Sequence, residues 1–219
     1  MTHVLRLVLV AQMAFGAIVF TGCGTVAADG SAPLPYYDGP DFTPHWSPIA
    51  HRVSDFRLTT QRGETLTGES LRGRIHVASF VYTKCAAVCP VLVRDLAKVQ
   101  AAIATLPDVV LVSYTVTPEA DTPAALAAFG RERSIDPDRW RLVTGDRRQI
   151  WRLARESYFA DDPRALDGEP SPEQAFLHTE KVLLVDRHLH LRGVYNGTSA
   201  FDIEHLITDL RRLASSPEN

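Results

Sequence analysis

The sequence predicts one α/β domain in which helices flank a central mixed sheet. Short apolar segments rich in β-branched residues alternate with amphipathic segments at helical spacing, and a short turn joins the last two apolar segments. With 219 residues, 45% of them hydrophobic and 22% charged, the chain is long enough for one well-buried domain. A formal net charge of −3 gives no electrostatic footprint for nucleic acid.

Residues 1–22 predict a signal peptide of the lipoprotein type. Arg6 precedes an apolar stretch over residues 7–20, which is too short to span a bilayer comfortably but suits the core of such a leader. Small residues then precede Cys23, as in the lipobox of bacterial lipoproteins, so lipidation of Cys23 is favoured. Ordinary secretory cleavage near residues 26–28 is the alternative. Both outcomes place the domain outside the cytoplasm, and lipidation would anchor it to the membrane on the periplasmic or extracytoplasmic face.

Residues 23–50 predict a tether or extension, because prolines recur from Pro33 to Pro48 and block regular helix. The domain itself is predicted over residues 51–214, and residues 215–219 form a short tail.

The predicted strands are short and apolar and are separated by turn residues. They cover residues 53–58, 64–66, 75–81, 109–116, 140–143, 179–185 and 190–195. The first two predict a hairpin, and so do the last two. Residues 159–172 are polar and aperiodic, which predicts a surface loop.

Helix start signals follow three of the strands. Pro90 lies in the first turn of one predicted helix, and Pro123 opens the next with Asp121 or Thr122 as its N-cap. A third helix begins near Asp146, with its predicted buried face formed by Ile150, Trp151, Leu153 and Ala154. A last helix is predicted from about residue 200 to 213.

Two of the three cysteines, Cys85 and Cys89, lie between the 75–81 strand and the Pro90 helix. Unpaired N–H groups and the helix dipole favour thiolate over thiol at a helix N-terminus, and Lys84 adds a positive charge beside Cys85. Two accessible, easily ionised thiols can exchange electrons as a redox disulfide or hold a soft metal ion. A purely structural disulfide is the simpler alternative, but four-residue spacing closes a tiny loop and gives little entropic stabilisation.

Parallel strands, a terminal hairpin and a cysteine turn after the first core strand together predict a thioredoxin-like fold. His178 is a candidate third ligand for a metal, because it stands between the polar loop and the 179–185 strand. The other histidines of the domain region are expected to be surface or packed residues, namely His45, His51, His76, His188, His190 and His205.

Four motifs of the chain resemble, in order, the landmarks of the SCO/SenC family. They are Tyr82-Thr83-Lys84-Cys85 with Cys89-Pro90, Thr117 to Pro123, Leu142-Val143-Thr144-Gly145, and Phe176-Leu177-His178-Thr179. The resemblance covers residues 53–213, and the combination of the cysteine motif with a late histidine is specific.

The resemblance implies a thioredoxin-like, membrane-anchored copper chaperone. Cys85, Cys89 and His178 would then hold a copper ion as Cu(I) or Cu(II), and the partner would be the apo-cytochrome c oxidase subunit that carries the CuA site. A copper donor protein is a further expected partner.

The chain departs from the family pattern at three places. Thr117 and Leu177 stand where family members often have Asp, and residues 86–88 lack the acidic residue that is frequent between the cysteines. These changes remove acceptors that could orient a ligand or engage a partner, while the three implied ligands remain.

A thiol-disulfide oxidoreductase that uses Cys85 and Cys89 is the alternative function. Three residues between the cysteines, rather than the two typical of thioredoxin-like reductants, count against it, and it gives His178 no role. A peroxiredoxin-type peroxidase ranks third, because Thr83 does not stand three residues before Cys85 as such sites require.

Overall fold

The structure, a computed structural model, describes residues 33–85, 88–160 and 179–216. Its strands are β1 (Arg57–Thr60), β2 (Thr65–Thr67), β3 (Ile75–Val81), β4 (Val109–Thr115), β5 (Trp140–Thr144), β6 (Lys181–Val185) and β7 (Leu191–Asn196). Its helices are α1 (Gly68–Leu71), α2 (Val88–Ala102), α3 (Pro123–Glu132), α4 (Arg147–Arg152) and α5 (Ala200–Ser215). A π-helical turn, Leu153–Ser157, continues α4.

The strands form one mixed sheet in the order β2-β1-β5-β4-β3-β6-β7. The central strands β3, β4 and β5 are parallel, whereas β1, β2, β6 and β7 pair in antiparallel fashion. The parallel strands are buried along most of their length, because helices cover both faces. This arrangement confirms the predicted thioredoxin-like fold.

Each face of the sheet has its own hydrophobic core. One core packs α2, α3 and α5 against β3, β4 and β5, and the other packs α1, α4 and the π-helical turn against the opposite face. The carboxyl ends of β3, β4 and β5 meet at one edge, which we call the site end. The opposite edge, where β6 turns into β7, is called the far end.

Two predicted details differ in the structure, and one left open is decided. β1 begins at Arg57 rather than at residue 53, because Val53 donates its N–H to Leu189 O in a separate contact. Of the two N-cap candidates for α3, Thr122 is the cap. Trp151 is half-buried rather than fully buried.

Residues 33–50 are joined to the sheet by a backbone bridge between Tyr37 and Leu191 of β7. A second bridge, between Tyr36 and His45, lies within the segment. No helix within the described ranges is both long and apolar enough to span a bilayer. The predicted signal peptide, Cys23 and most of the 159–172 loop lie outside the described residues.

Candidate metal centre

Cys85 and Cys89 lie at the site end, in the turn that connects β3 to α2. The N–H of Cys85 donates to Tyr82 O at 3.1 Å and closes a turn just after β3. Helix α2 begins at Val88 and places Cys89 in its first turn, and Cys89 N donates to Cys85 Sγ at 3.4 Å. Both side chains are half-buried thiols. The sequence therefore positions the two sulfur atoms side by side at the end of the sheet.

The Cys89 thiol holds its proton more strongly than the sequence predicted. Burial raises its pKa to about 11, a hydrogen bond with the Cys85 side chain adds to the rise, and the Tyr82 backbone acts in the opposite direction. The prediction of an easily ionised thiol is wrong for Cys89, because desolvation outweighs the helix N-terminus. A metal ion that binds Cys89 at neutral pH must therefore displace a proton.

Asp121 lies beneath the cysteine turn and is fully buried. Its carboxylate accepts hydrogen bonds from Thr83 N at 3.3 Å, from Thr83 Oγ1 and Thr115 Oγ1 at short distance, and from Thr117 Oγ1 at 3.1 Å. Sequence reasoning assigned Asp121 to a cap or turn and missed this role. One sequence signal could have predicted it: Thr83 follows the predicted β3, Thr115 and Thr117 lie at the end of the predicted β4, and Asp121 comes shortly afterwards.

Thr117, which replaces the usual family aspartate, is a hydrogen-bond donor in this network. An ionised aspartate at position 117 could not donate to Asp121, and it would place two carboxylates against each other. The threonine therefore suits the buried Asp121 carboxylate.

His178 lies outside the described residues, but the chain just after it is placed beside α2. Gly197 N donates to Glu180 O at 2.7 Å, and Thr198 Oγ1 donates to Glu180 Oε2 at 2.8 Å. A Cβ at Gly197 would overlap Leu92 Cδ1 and would lie 3.0 Å from Glu180 O. Glu180 therefore sits close to Leu92, which is less than one helical turn beyond Cys89.

The histidines within the described ranges make contacts of their own away from the cysteines. Their contacts are Asp38 for His45, Ser157 O for His51, Tyr158 OH for His76, Asp186 and Arg52 for His190, and the Phe201 ring for His205, whereas His188 is exposed. Across residues 33–85, 88–160 and 179–216, no group of three or more His, Cys, Asp and Glu side chains could hold a metal ion. A third ligand for the two thiols must therefore come from elsewhere in the chain or from a partner.

The chain matches the family model described as SCO1/SenC over residues 47–215. Among solved structures, it resembles a SCO1/SenC family lipoprotein from Bacillus anthracis, with 27% identity, a TM-score of 0.66, and coverage of 77% of this chain and 98% of the other. It also resembles BsSco, described as a member of the Sco family of cytochrome c oxidase assembly proteins that has a disulfide switch. That match has 26% identity, a TM-score of 0.64, and coverage of 77% and 96%.

A third similar structure is Bradyrhizobium japonicum ScoI, which was solved with copper bound. Its identity to this chain is 27% and its TM-score is 0.58, and the alignment covers 75% of this chain and 99% of ScoI. All three similarities extend over nearly the whole of the compared structures.

Proposed function

The chain belongs to the SCO1/SenC family, and from that premise we propose that it is a copper-binding metallochaperone that helps assemble the CuA centre of cytochrome c oxidase. The observation that carries the proposal is the pair of half-buried thiols, with Cys85 in the turn after β3 and Cys89 in the first turn of α2, joined by the hydrogen bond from Cys89 N to Cys85 Sγ. Thiolates are the soft ligands that copper prefers. The copper bound to ScoI and the oxidase assembly role of BsSco support the same reading.

Cys85, Cys89 and His178 form the proposed ligand set. The two cysteines supply sulfur from one short turn, and an imidazole completes a set that suits Cu(I) or a tetragonal Cu(II). The position of Glu180 beside Leu92 supports His178, because a single residue separates His178 from Glu180 and Leu92 lies in the first turns of α2. The carboxylate of Asp121 adds a buried negative charge under the turn.

Release of the metal ion follows from proton competition at Cys89. Because its pKa is about 11, the thiol takes back a proton readily when an acceptor ligand replaces its sulfur on the metal. Both cysteines are half-buried at the site end and not fully enclosed, so the ligands of an acceptor can approach them. We infer that copper passes by stepwise ligand exchange to the apo-oxidase subunit, after delivery by a donor protein.

The same two cysteines form the proposed redox disulfide. Oxidation of the dithiol removes two electrons and two protons and leaves no thiolate for the metal, so reduction by a partner dithiol must precede copper binding. A role as a disulfide reductase suits this site less well, because three residues rather than two separate the cysteines and because Cys89, with a pKa near 11, supplies little thiolate at neutral pH.

The proposed location is the extracytoplasmic face of a membrane, with Cys23 as the lipidated first residue after removal of residues 1–22. The description of the Bacillus anthracis relative as a lipoprotein supports this anchor. Residues 23–50 would then connect the lipid to a copper-binding domain over residues 51–214, with residues 215–219 as a tail.

Copper titration of the reduced mature protein tests the proposal. We expect about one copper ion per chain, loss of stoichiometric binding in Cys85→Ser and in Cys89→Ser, and at least about tenfold weaker binding in His178→Ala. His188→Ala, an exposed histidine at the far end, is the matched control and should bind as the wild type does. Unchanged affinity and spectrum in His178→Ala would remove the third ligand, and unchanged binding in both serine variants would overturn the site.

A further inference from the structure

Asp121 connects the cysteine turn to the neighbouring strand. Its donors come from two places: Thr83 belongs to the turn that follows β3, whereas Thr115 and Thr117 belong to the end of β4. One carboxylate therefore bridges the turn that carries Cys85 and the strand beside it. We propose that Asp121 is a positioning residue that acts through Thr83 to fix Cys85 for copper binding. The inference rests on the ligand set proposed above.

Burial of the Asp121 carboxylate costs free energy that a residue with only a packing role would not require. A buried carboxylate loses its hydration, and this loss is usually balanced by a basic partner. Within the described part of the chain no basic side chain forms an ion pair with Asp121, and hydroxyl groups and one amide satisfy it instead. An apolar residue could have filled the same space without that cost.

Helix capping does not account for Asp121. The hydroxyl of Thr122 accepts from Ala125 N at 3.3 Å and caps α3. The backbone N–H of Asp121 donates to Thr117 O, and its carboxylate is directed away from α3 towards Thr83. The side chain thus acts on the cysteine turn, whereas its neighbour acts on the helix.

Hydrogen bonds link Asp121 to the turn that contains Cys85. Thr83 is held by Asp121 through both its backbone N–H and its hydroxyl. Cys85 lies two residues further on and closes the turn through its N–H to Tyr82 O. Since a metal site tolerates only about 0.5 Å of displacement in its ligands, loosening Thr83 separates Cys85 from the geometry that Cys89 requires.

Asp121→Asn and Thr83→Val test the inference in two independent ways. Asp121→Asn keeps the shape of the side chain but replaces one acceptor oxygen by a donor. Thr83→Val removes one hydroxyl and keeps Asp121, so it still tests the inference if Asp121→Asn does not fold. Thr83→Ser restores the hydroxyl, and Thr122→Ala is the control, because it removes a neighbouring hydroxyl that caps α3 instead of contacting the Asp121 carboxylate.

Cu(I) affinity by competition and the thiolate-to-Cu(II) absorption band are the main readouts, with thermal unfolding alongside. We expect Thr83→Val and Asp121→Asn to weaken copper binding about 10-fold to 100-fold and to shift the band, as residues behind metal ligands do. Thr83→Ser should recover the wild-type values, and Thr122→Ala should lower the unfolding temperature while the band stays unchanged. Wild-type affinity and spectrum in both Thr83→Val and Asp121→Asn, or an equal spectral change in Thr122→Ala, would overturn the inference.

Alkylation of Cys85 by iodoacetamide provides a readout that needs no copper. If Asp121 orders the turn, Cys85 should react several-fold faster in Thr83→Val than in the wild type, in Thr83→Ser or in Thr122→Ala. Failure of the wild type to bind copper would overturn the proposed function, and the alkylation rates would then decide the inference alone. Equal rates in Thr83→Val and Thr122→Ala would contradict it.

Discussion

The two ends of the sheet each contain a buried aspartate, but the two carboxylates are satisfied by different kinds of donor. At the site end, threonine hydroxyls and one amide donate to Asp121. At the far end, Asp186 accepts from Arg192 Nη1 at 3.0 Å, from the ring Nδ1 of His190 at 3.2 Å, and from the backbone N–H groups of His188 and His190.

The far-end cluster serves structure. Arg192 continues from Asp186 to the backbone oxygens of Leu34 and Pro35 and stacks on the Tyr36 ring, with its guanidinium carbon 3.9 Å from the ring centroid. One buried guanidinium thus joins the terminal hairpin to the residues that lead towards the N-terminus. A charged pair suits this task, because neither partner has to move.

The site end has no buried cation of this kind among the described residues. Within the described ranges only neutral groups donate to Asp121, and its negative charge makes a small contribution to the raised pKa of Cys89, which burial dominates. The same field that favours a proton on sulfur favours a bound metal cation. The comparison therefore supports a structural role for the far end and the proposed cation site at the site end.

Asp186→Ala should give the largest loss of stability. The substitution removes the Asp186 carboxylate from the buried Arg192 guanidinium, and loss of one partner of a buried ion pair lowers the free energy of unfolding by about 3 to 5 kcal/mol. Urea unfolding of the reduced protein measures the loss. The copper spectrum should stay unchanged, and a shifted spectrum would show that the two ends are not independent.

His76→Gln tests how the far end responds to acid. Burial lowers the pKa of His76 to about 3, although the Asp186 carboxylate raises it slightly, and its ring Nε2 lies 3.1 Å from Tyr158 OH. Below pH 6.5 the His76 side chain is protonated in the unfolded chain, whereas in the folded chain it stays neutral down to about pH 3. The free energy of unfolding therefore falls by about 1.4 kcal/mol per pH unit on acidification.

Unfolding of the wild type and of His76→Gln at pH 7 and at pH 4.5 measures this effect. The wild type should lose about 2 to 3 kcal/mol more than the variant over that interval. Equal losses in the two proteins would show that another group carries the acid sensitivity.

Thr122→Ala gives the smallest of these effects and lies next to Asp121. Loss of the N-cap hydroxyl should cost about 1 kcal/mol of stability, because Ala125 N loses its acceptor. Thermal unfolding measures this cost, and copper affinity should match that of the wild type. A spectral change as large as that of Asp121→Asn would mean that the start of α3, rather than the Asp121 contact with Thr83, controls the site.

The sequence predicted the framework because its signals are local. The apolar β3 segment, the Pro90 and Pro123 helix starts and the Ala200 helix depend on periodicity and capping within a few residues, and the structure confirms them. The cysteine turn was placed correctly for the same reason, since a strand signal and a helix signal bracket it.

The electrostatics of the site could not be predicted in this way. Asp121 contacts Thr83, which lies 38 positions before it in the sequence. It also contacts Thr117 and Thr115, which lie only 4 and 6 positions before it. The high pKa of Cys89 depends on how deeply the folded turn buries its sulfur. Both properties arise from packing between β3 and β4, which no local pattern reports.

X-ray absorption spectroscopy at the copper edge tests the proposed ligand set most directly. The copper-loaded protein should show two sulfur neighbours together with imidazole scattering. In His178→Ala the imidazole signal should disappear while both sulfur neighbours remain. A single sulfur neighbour in the wild type, or imidazole scattering that persists in His178→Ala, would contradict the assignment of Cys85, Cys89 and His178 as the copper ligands.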